Sequence, residues 1–277
     1  MKFAMFANGE KVAALGMGTW QMGDRRTQRK EEIRSLQRGI ELGMNVIDTA
    51  EMYGEGAAEK LVGEAIAGRR DQVFLVSKVY PHNATRQGTV AACERSLARL
   101  GTDRLDLYLL HWRSSVPFRE TIEAFEHLQR DGKIRRWGVS NLDTAEMAEL
   151  HSTPGGENVA TNQVLYNLSR RGIEWDLLPR CSERSIPVMA YSPVEQARLL
   201  GDRRLLGLAA KIGKTPAQVA LAWILSRNNV IAIPKAGSVA HVEENFGALE
   251  CVLSPEIVAE LDGVFPPPRR ERPLEML

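Results

Sequence analysis

The chain alternates between short apolar runs and helical segments, and this alternation limits its fold more than any other feature. Strands that alternate with helices predict parallel strand pairing with right-handed crossovers. The eight strand–helix units of this chain predict one closed (β/α)8 barrel, the TIM-barrel architecture, as a single domain over residues 1–277. The predicted strands end near Thr19, Asp48, Lys78, His111, Ser140, Gln163, Tyr191 and Ile233.

Apolar periodicity and capping residues locate the helices. Ile33, Leu36 and Ile40 share one helix face, Asp143 suits a helix N-cap, and Pro216 suits a first helical turn. The predicted helices cover about residues 27–42, 57–66, 85–100, 118–131, 173–182, 216–227 and 255–261, with another after residue 143. The predicted strands cover residues 13–19, the residues before 48, 72–78, 105–111, 134–140, 159–163, 186–192 and 230–233.

The two ends of the chain fall outside this alternation. Residues 2–6 and 11–14 flank Asn8-Gly9, a strong signal for a two-residue turn, and predict a β-hairpin that covers one end of the barrel. The proline- and arginine-rich stretch from Pro266 to Arg272 predicts a surface tail without regular structure.

An open, doubly wound sheet is the main rival fold, and it would need a glycine-rich nucleotide loop. Gly16 and Gly18 begin such a pattern, but Gln21 stands where a third glycine is required. The sequence therefore favours the barrel.

Composition excludes several classes of protein. The 36 Lys and Arg residues nearly balance the 35 Asp and Glu residues, so no general attraction to nucleic acid or to an anionic membrane is expected. The three cysteines are far apart and form no CxxC spacing, which predicts neither disulfides nor a metal site. Without a signal peptide or a run of about 18 apolar residues, a soluble cytoplasmic protein is expected.

Four side chains near strand ends predict an active site. Asp48, Lys78 and His111 each stand where a strand runs out, and Tyr53 follows in a glycine-containing loop. Barrels of this type carry their catalytic groups at the C-terminal ends of the strands, so these residues should meet. An ammonium group beside a tyrosine favours the phenolate and lowers the pKa of that tyrosine. Asp48 would pair with Lys78 and limit the cost of burying it, and His111 could orient a carbonyl group.

This set fits protonation of an oxygen that becomes an alkoxide. It does not fit metal binding, because a protonated lysine is no metal ligand. It does not fit nucleophilic hydrolysis, because no serine or cysteine stands beside His111.

The chain resembles the aldo-keto reductase family. Asp48, Tyr53, Lys78 and His111 match that family's catalytic tetrad in order and spacing. Further matches extend from Gly16 to about Gly247: GTW (18–20), HW (111–112), GVSN (138–141), NQVLYN (162–167), AYSP (190–193), IPKAGS (233–238) and EEN (243–245). The resemblance implies an enzyme that reduces aldehydes or ketones with NADPH, which is bound extended across the barrel mouth.

The resemblance also implies roles for cofactor-binding residues. Ser140, Asn141 and Gln163 would hold the carboxamide, and Tyr191 would stack on the nicotinamide ring. Ser192 and Pro193 would begin the loop that passes the pyrophosphate, Lys235 and Ser238 would meet the 2′-phosphate, and Glu244 and Asn245 would lie near the adenine. The remaining residues implied for the cofactor are Gly18, Thr19, Trp20, Asp48, Val194, Ile233 and His241.

Two positions depart from the family pattern. His241 stands where family members that prefer NADPH usually carry arginine; histidine is mostly neutral at pH 7 and lacks the arginine fork, so NADH use is left open. The loop after Tyr191 lacks the usual glycines, and Arg198 is a candidate phosphate partner there.

The substrate is expected to be a small carbonyl compound. Trp20 and Trp112 would wall the pocket beside Tyr53 and His111, and Tyr80 could add to that wall. The short C-terminal tail predicts an open pocket for small aldehydes, 2-oxoaldehydes such as methylglyoxal, or simple ketones. The family resemblance implies a monomer.

Two other functions, a redox-sensing subunit and a hydrolytic or isomerising barrel, are less consistent with the sequence. Some relatives serve as regulatory subunits that sense the redox state of the nicotinamide, but the tetrad is intact here. A hydrolytic or isomerising barrel would need a phosphate or metal site, which the sequence does not show.

Overall fold

The barrel predicted from the sequence is confirmed by the computed structural model, which describes all residues, Met1–Leu277. Its eight parallel strands pair in sequence order. They are β3 (Met17–Gly18), β4 (Val46–Asp48), β5 (Phe74–Val79), β6 (Leu105–Leu110), β7 (Ile134–Ser140), β8 (Asn162–Leu165), β9 (Val188–Tyr191) and β10 (Val230–Ala232).

Short parallel bridges between the first and last barrel strands close the sheet. Leu15 pairs with Ala232, and Gly18 pairs with Lys235. A Cβ atom on Gly18 would lie 2.9 Å from the carbonyl oxygen of Ile233, so the glycine is required by close packing at this seam. Gly16 and Gly18, whose spacing resembles the start of a nucleotide-binding loop, are therefore part of the barrel wall.

Helices surround the barrel and connect successive strands. They are α1 (Arg29–Glu41), α2 (Ala57–Ile66), α3 (Arg86–Leu100), α4 (Phe118–Arg130), α5 (Thr144–Ser152), α6 (Leu177–Glu183), α7 (Arg203–Lys211), α8 (Pro216–Leu225), α9 (Val239–Phe246) and α10 (Pro255–Val264). None of them combines the length and the apolar composition that crossing a bilayer requires.

A hairpin of β1 (Phe3–Met5) and β2 (Lys11–Ala13) closes the N-terminal end of the barrel. Its turn has three residues and not the predicted two, because Gly9 adopts a left-handed conformation (φ 84°) after the turn and extends it. The hairpin and the barrel interior share one buried apolar cluster of Ala4, Phe6, Val12, Ala13, Val46, Val76, Leu107, Leu109, Met189, Ile231 and Ile233. The mouth that holds the strand ends is therefore at the opposite end.

Three local predictions differ from the structure. β8 runs from Asn162 to Leu165 and not over residues 159–163, because residues 156–158 form a 3₁₀ turn that delays the strand. α6 begins only at Leu177, after a separate 3₁₀ turn at residues 172–174. Helix α7 was not predicted, although Asp202 caps its N-terminus and Leu205 and Leu208 share its buried face.

Candidate active site

Asp48, Lys78 and Tyr53 meet at the barrel mouth. Lys78 is fully buried at the end of β5, and its Nζ donates to Asp48 Oδ2 at 2.7 Å and to the Thr49 carbonyl oxygen at 2.9 Å. The same Nζ lies 3.2 Å from the Tyr53 hydroxyl. Strands β4 and β5 are direct neighbours, and their register brings the carboxylate and the ammonium group together. The ion pair is therefore shielded from water, with the phenol on its cavity side.

Asp48 is also braced from across the barrel. Gln163 on β8 donates its side-chain N–H to Asp48 Oδ1 at 2.7 Å. Each carboxylate oxygen of Asp48 thus accepts a separate donor, which fixes the orientation of the group. Because its N–H donates to Asp48, Gln163 presents its amide oxygen as the remaining acceptor.

The charge environment sets the protonation states of this group. Burial raises the pKa of Tyr53, and although Lys78 lowers it, the net shift is upward. The predicted lowering by the ammonium is present, but burial outweighs it. Burial lowers the pKa of Lys78, but Asp48 and Tyr53 more than offset this, so the pKa of Lys78 is raised. At neutral pH, Tyr53 carries its proton and Lys78 is charged.

His111 follows β6 beside these residues. Burial, together with the charge of Lys78, holds the pKa of His111 well below its usual range, so the imidazole is neutral at pH 7. Its Nδ1 is buried without a hydrogen-bond partner, which leaves Nε2 as the ring nitrogen available to the cavity. The rings of His111 and Tyr53 meet edge to face, with centroids 5.8 Å apart. His111 can therefore donate one neutral N–H next to the phenol.

Neighbouring strand ends form a polar cluster in the centre of the mouth. Ser140 Oγ donates to the Gln163 carbonyl oxygen at 2.8 Å, and Asn141 Nδ2 donates to the His111 carbonyl oxygen at 3.2 Å. The Tyr191 hydroxyl donates to Asn141 Oδ1 at 3.0 Å. These contacts hold three amide or hydroxyl side chains and one aromatic ring together, as binding of a flat carboxamide-bearing ring requires.

The far end of the mouth carries an unpaired positive charge. Lys235 follows β10, is exposed, and forms no ion pair. The first amide of α9, on Val239, already donates to Glu31, so the helix terminus itself is partly occupied. Lys235 is therefore the main positive group for a phosphate here. Ser238 instead caps α9 by accepting from the His241 amide, at 3.3 Å.

The loop after β9 is strained and held by one buried carboxylate. Glu195, Gln196 and Ala197 all adopt left-handed conformations, with φ of 52°, 52° and 69°. Such a conformation costs about 1–2 kcal/mol for each non-glycine residue. The buried Glu195 side chain offsets this strain by accepting from Asn167 at 2.7 Å and from Arg170 at 2.9 Å. This loop reaches the cavity without the glycines expected there.

A single elongated cavity of about 660 Å³ joins these groups. Of the residues predicted for the cofactor and substrate, Ser238 and Tyr80 do not line it; Tyr80 packs against Trp112, with ring centroids 5.1 Å apart. Arg198 pairs with Glu195 and lines a neighbouring groove. The predicted residues that do line the cavity are Gly18, Thr19, Trp20, Asp48, Tyr53, His111, Trp112, Ser140, Asn141, Gln163, Tyr191, Ser192, Pro193, Val194, Ile233, Lys235, His241, Glu244 and Asn245.

The structure adds cavity residues that the sequence did not indicate. They are Gln21, Met52, Gln196, Ala197, Leu200, Ala217, Met276 and Leu277. The last two correct one expectation: the tail is short and irregular, but it returns to the mouth and walls the pocket that was expected to be open. Gln196 and Ala197 could have been anticipated from their place in the loop after β9, whereas no local pattern marks Met276.

A barrel mouth with a tyrosine, a buried lysine–aspartate pair and a neutral histidine beside a long cavity defines an oxidoreductase that acts on carbonyl groups. Comparisons with known proteins give the family. The model of the Aldo/keto reductase family matches residues 14–265. The chain therefore belongs to the aldo-keto reductase family.

Individual relatives cover most or all of the chain. It is 53% identical over 281 residues to the methylglyoxal reductase YeaE of Escherichia coli K12, spanning 100% of this chain and 99% of that protein. It is 33% identical over 261 residues to the glyoxal reductase of Bacillus subtilis, spanning 93% and 90%. A crystal structure of an aldo/keto reductase from Klebsiella pneumoniae in complex with NADP and acetate matches with a TM-score of 0.97 at 52% identity, over 100% of both chains.

Proposed function

We propose that this enzyme reduces small aldehydes, and 2-oxoaldehydes such as methylglyoxal in particular, to alcohols with NADPH. The observation that carries the proposal is the Tyr53 hydroxyl, protonated at neutral pH and 3.2 Å from a fully buried ammonium group, on the wall of a cavity long enough for a dinucleotide. Residues 1–277 would act as one domain, since one barrel mouth supplies the whole cavity.

The chain's own residues would control the proton and the geometry of the reaction. The reduced nicotinamide supplies the hydride that adds to the carbonyl carbon. Tyr53 donates its proton to the carbonyl oxygen, and Lys78 stabilises the phenolate that remains. Asp48 keeps Lys78 charged and in place, and His111 aligns the carbonyl oxygen through its neutral N–H.

The residues of the mouth fit NADPH along its length. Gln163 offers an amide oxygen to the carboxamide N–H, and Tyr191 lies beside it where a ring can stack. The loop from Ser192 to Ala197 follows the cavity towards its phosphate end. There, the exposed and unpaired Lys235 provides the charge that favours the 2′-phosphate. NADPH is also the cofactor in a solved aldo-keto reductase structure from Klebsiella pneumoniae.

The remaining space suits a small substrate with little polarity. Trp20, Trp112, Met276 and Leu277 supply apolar walls near the tetrad. The dinucleotide would occupy one part of this cavity, and the apolar part beside the tetrad would hold a small carbonyl compound. The methylglyoxal and glyoxal reductases among the relatives support the 2-oxoaldehyde class.

The test is the loss of NADPH absorbance, and separately of NADH absorbance, with methylglyoxal, glyoxal and a panel of simple aldehydes and ketones. We expect turnover with NADPH and the highest kcat/KM among the 2-oxoaldehydes. NADPH binding without turnover of any carbonyl compound would reject the reductase and favour a sensor of the cofactor's redox state.

Replacing Lys235 with alanine is expected to raise KM for NADPH about tenfold or more and to change KM for NADH by less than about twofold. Lys235 is the main cation at the phosphate end, and a charge-assisted contact contributes about 1.5–3 kcal/mol. The measurement is the ratio of kcat/KM for the two cofactors with one carbonyl substrate.

The opposite substitution gives the matched control. His241 is exposed on the same cavity wall, one turn into α9, and His241→Arg adds a permanent charge there. This variant should shift the cofactor ratio further towards NADPH. Equal effects of Lys235→Ala on KM for both cofactors would show that Lys235 does not contact the 2′-phosphate.

We further propose that the enzyme is a cytoplasmic monomer. The three cysteines are free and buried, which suits a reducing compartment. One barrel mouth also supplies every residue of the cavity, so the site needs no second subunit. Light scattering on a size-exclusion column should give a mass near 30.8 kDa; a mass twice as large would reject the monomer.

A further inference from the structure

The last residues of the chain are anchored beside the active site. Leu274 packs against the main hydrophobic core, and the carboxylate of Glu275 accepts from Arg170 Nη1. Met276 and Leu277 follow at once and line the cavity, each with about half of its surface exposed (50%). Apolar side chains left exposed at a pocket mouth suit contact with a bound molecule.

Arg170 contacts two other parts of the mouth at the same time. Its Nε and Nη2 donate to Glu195 Oε1 at 3.0 and 2.9 Å, while Nη1 donates to Glu275. Glu195 belongs to the strained loop that follows the cavity on the cofactor side. Glu275 belongs to the tail, whose last two residues, Met276 and Leu277, line the same cavity. One guanidinium group therefore joins the loop after β9 to the C-terminal tail.

The two ion pairs differ in burial, and this difference indicates their roles. The Glu195 side chain is 6% exposed and accepts hydrogen bonds from three side chains, so that half of the junction is rigid. The Glu275 side chain is 39% exposed, and Arg170 is its only cationic partner. An exposed pair of this kind adds little to overall stability, so its effect should lie in the position of the tail.

We propose that Arg170 is a positioning residue that couples cofactor binding to the closure of the C-terminal tail over the substrate pocket. The inference rests on the proposed binding of the dinucleotide along the loop after β9. A cofactor bound along this loop stabilises its strained backbone further, and the pairs of Arg170 with Glu195 and Glu275 carry that restraint to the tail. Met276 and Leu277 are then placed against the carbonyl substrate. The coupling is reciprocal, so an attached tail also tightens the binding of the cofactor.

Trypsin cleavage can report whether the tail is attached. Arg269 and Arg270 are exposed, form no ion pair, and stand shortly before the anchored residues, so trypsin can cut there when the tail detaches. Cleavage is followed by intact mass with and without NADPH, in the absence of any carbonyl compound. We expect NADPH to slow this cleavage about fivefold or more in the unaltered enzyme.

Two variants test the junction. Glu275→Gln releases only the tail, and Arg170→Met releases both walls. In each, the protection of the tail by NADPH should be lost, and KM for methylglyoxal should rise about fivefold or more. Kd for NADPH, measured by fluorescence, should rise about fivefold in Glu275→Gln by the same coupling and rise further in Arg170→Met, which also frees the loop after β9. Combining the two substitutions should add nothing to the KM of Arg170→Met, because they act in series.

Glu260→Gln is the matched control. Glu260 forms a pair of similar exposure with Lys211 between α7 and α10 and does not line the cavity. This variant should behave as the unaltered enzyme in every measurement. Equal tail protection in Glu275→Gln, or no protection in the unaltered enzyme, would overturn the coupling. Protection by NADPH without turnover of any carbonyl would reject the proposed reaction and leave the coupling standing.

Discussion

Replacing Tyr53 with phenylalanine is expected to lower kcat by about a hundredfold to ten-thousandfold while NADPH still binds. The substitution removes only the hydroxyl that lies 3.2 Å from Lys78, and it leaves the aromatic wall of the cavity in place. The buried Asp48–Lys78 pair keeps its own hydrogen bond, so the fold should be preserved. Single-turnover rates with methylglyoxal, together with NADPH fluorescence, measure the two properties separately.

Tyr108→Phe makes the same chemical change elsewhere in the barrel. Tyr108 lies on β6, fully buried against Phe125, and its hydroxyl has no hydrogen-bond partner. Losing that hydroxyl should leave both kcat and stability near their original values. Normal turnover in Tyr53→Phe would show that another group supplies the proton.

Replacing Lys78 with methionine is expected to cost about 3–5 kcal/mol of unfolding free energy and to abolish measurable turnover. Asp48 is only 2% exposed, and without Lys78 its charge keeps one side-chain donor, Gln163. An uncompensated buried charge accounts for the loss of stability, and the loss of the phenolate's cation accounts for the loss of activity. Urea unfolding at pH 7 and NADPH oxidation measure the two effects.

A neutral double variant separates these two causes. Adding Asp48→Asn to Lys78→Met removes the stranded charge, while the asparagine oxygen can still accept from Gln163. Most of the lost stability should return, but activity should not. Recovered activity in the double variant would show that Lys78 has only a structural role.

The pH dependence of stability follows from the same pair. The pKa of Lys78 is raised above its ordinary value of 10.5, because Asp48 and Tyr53 outweigh the effect of burial. The folded state therefore holds this proton more tightly than the unfolded state does. The resulting stability is fully present below about pH 10.5 and is lost as the pH rises through the folded-state pKa.

Most of the architecture was readable from the sequence because its signals are local. Apolar runs that end in polar residues located all eight barrel strands, and the errors were confined to boundaries such as that of β8. The turn is one residue longer than Asn8-Gly9 predicts, because the left-handed Gly9 adds a third residue to the loop. Helix α7 carries a local signal as well, since Asp202 is its N-cap.

The features that escaped prediction depend on contacts between distant parts of the chain. Arg170 and Glu275 lie 105 residues apart, and no local sequence pattern predicts their pairing. Gln196 has a strained conformation, and its neighbour Glu195 is bound by three side chains. Two of them, Asn167 and Arg170, lie outside the loop, and Arg198 lies within it. The upward pKa shift of Tyr53 similarly depends on burial, which only the packed structure supplies.

The seam between the first and last barrel strands affects how the enzyme folds during its synthesis. Gly18 pairs with Lys235, so the barrel closes only when segments from opposite ends of the chain meet. Contacts of such long sequence separation form late and slow folding. Strands β4 to β6 leave the ribosome early, whereas Lys235, the proposed partner of the 2′-phosphate, can join them only after most of the chain has been made. A nascent chain therefore gains its cofactor site only near the end of its own synthesis.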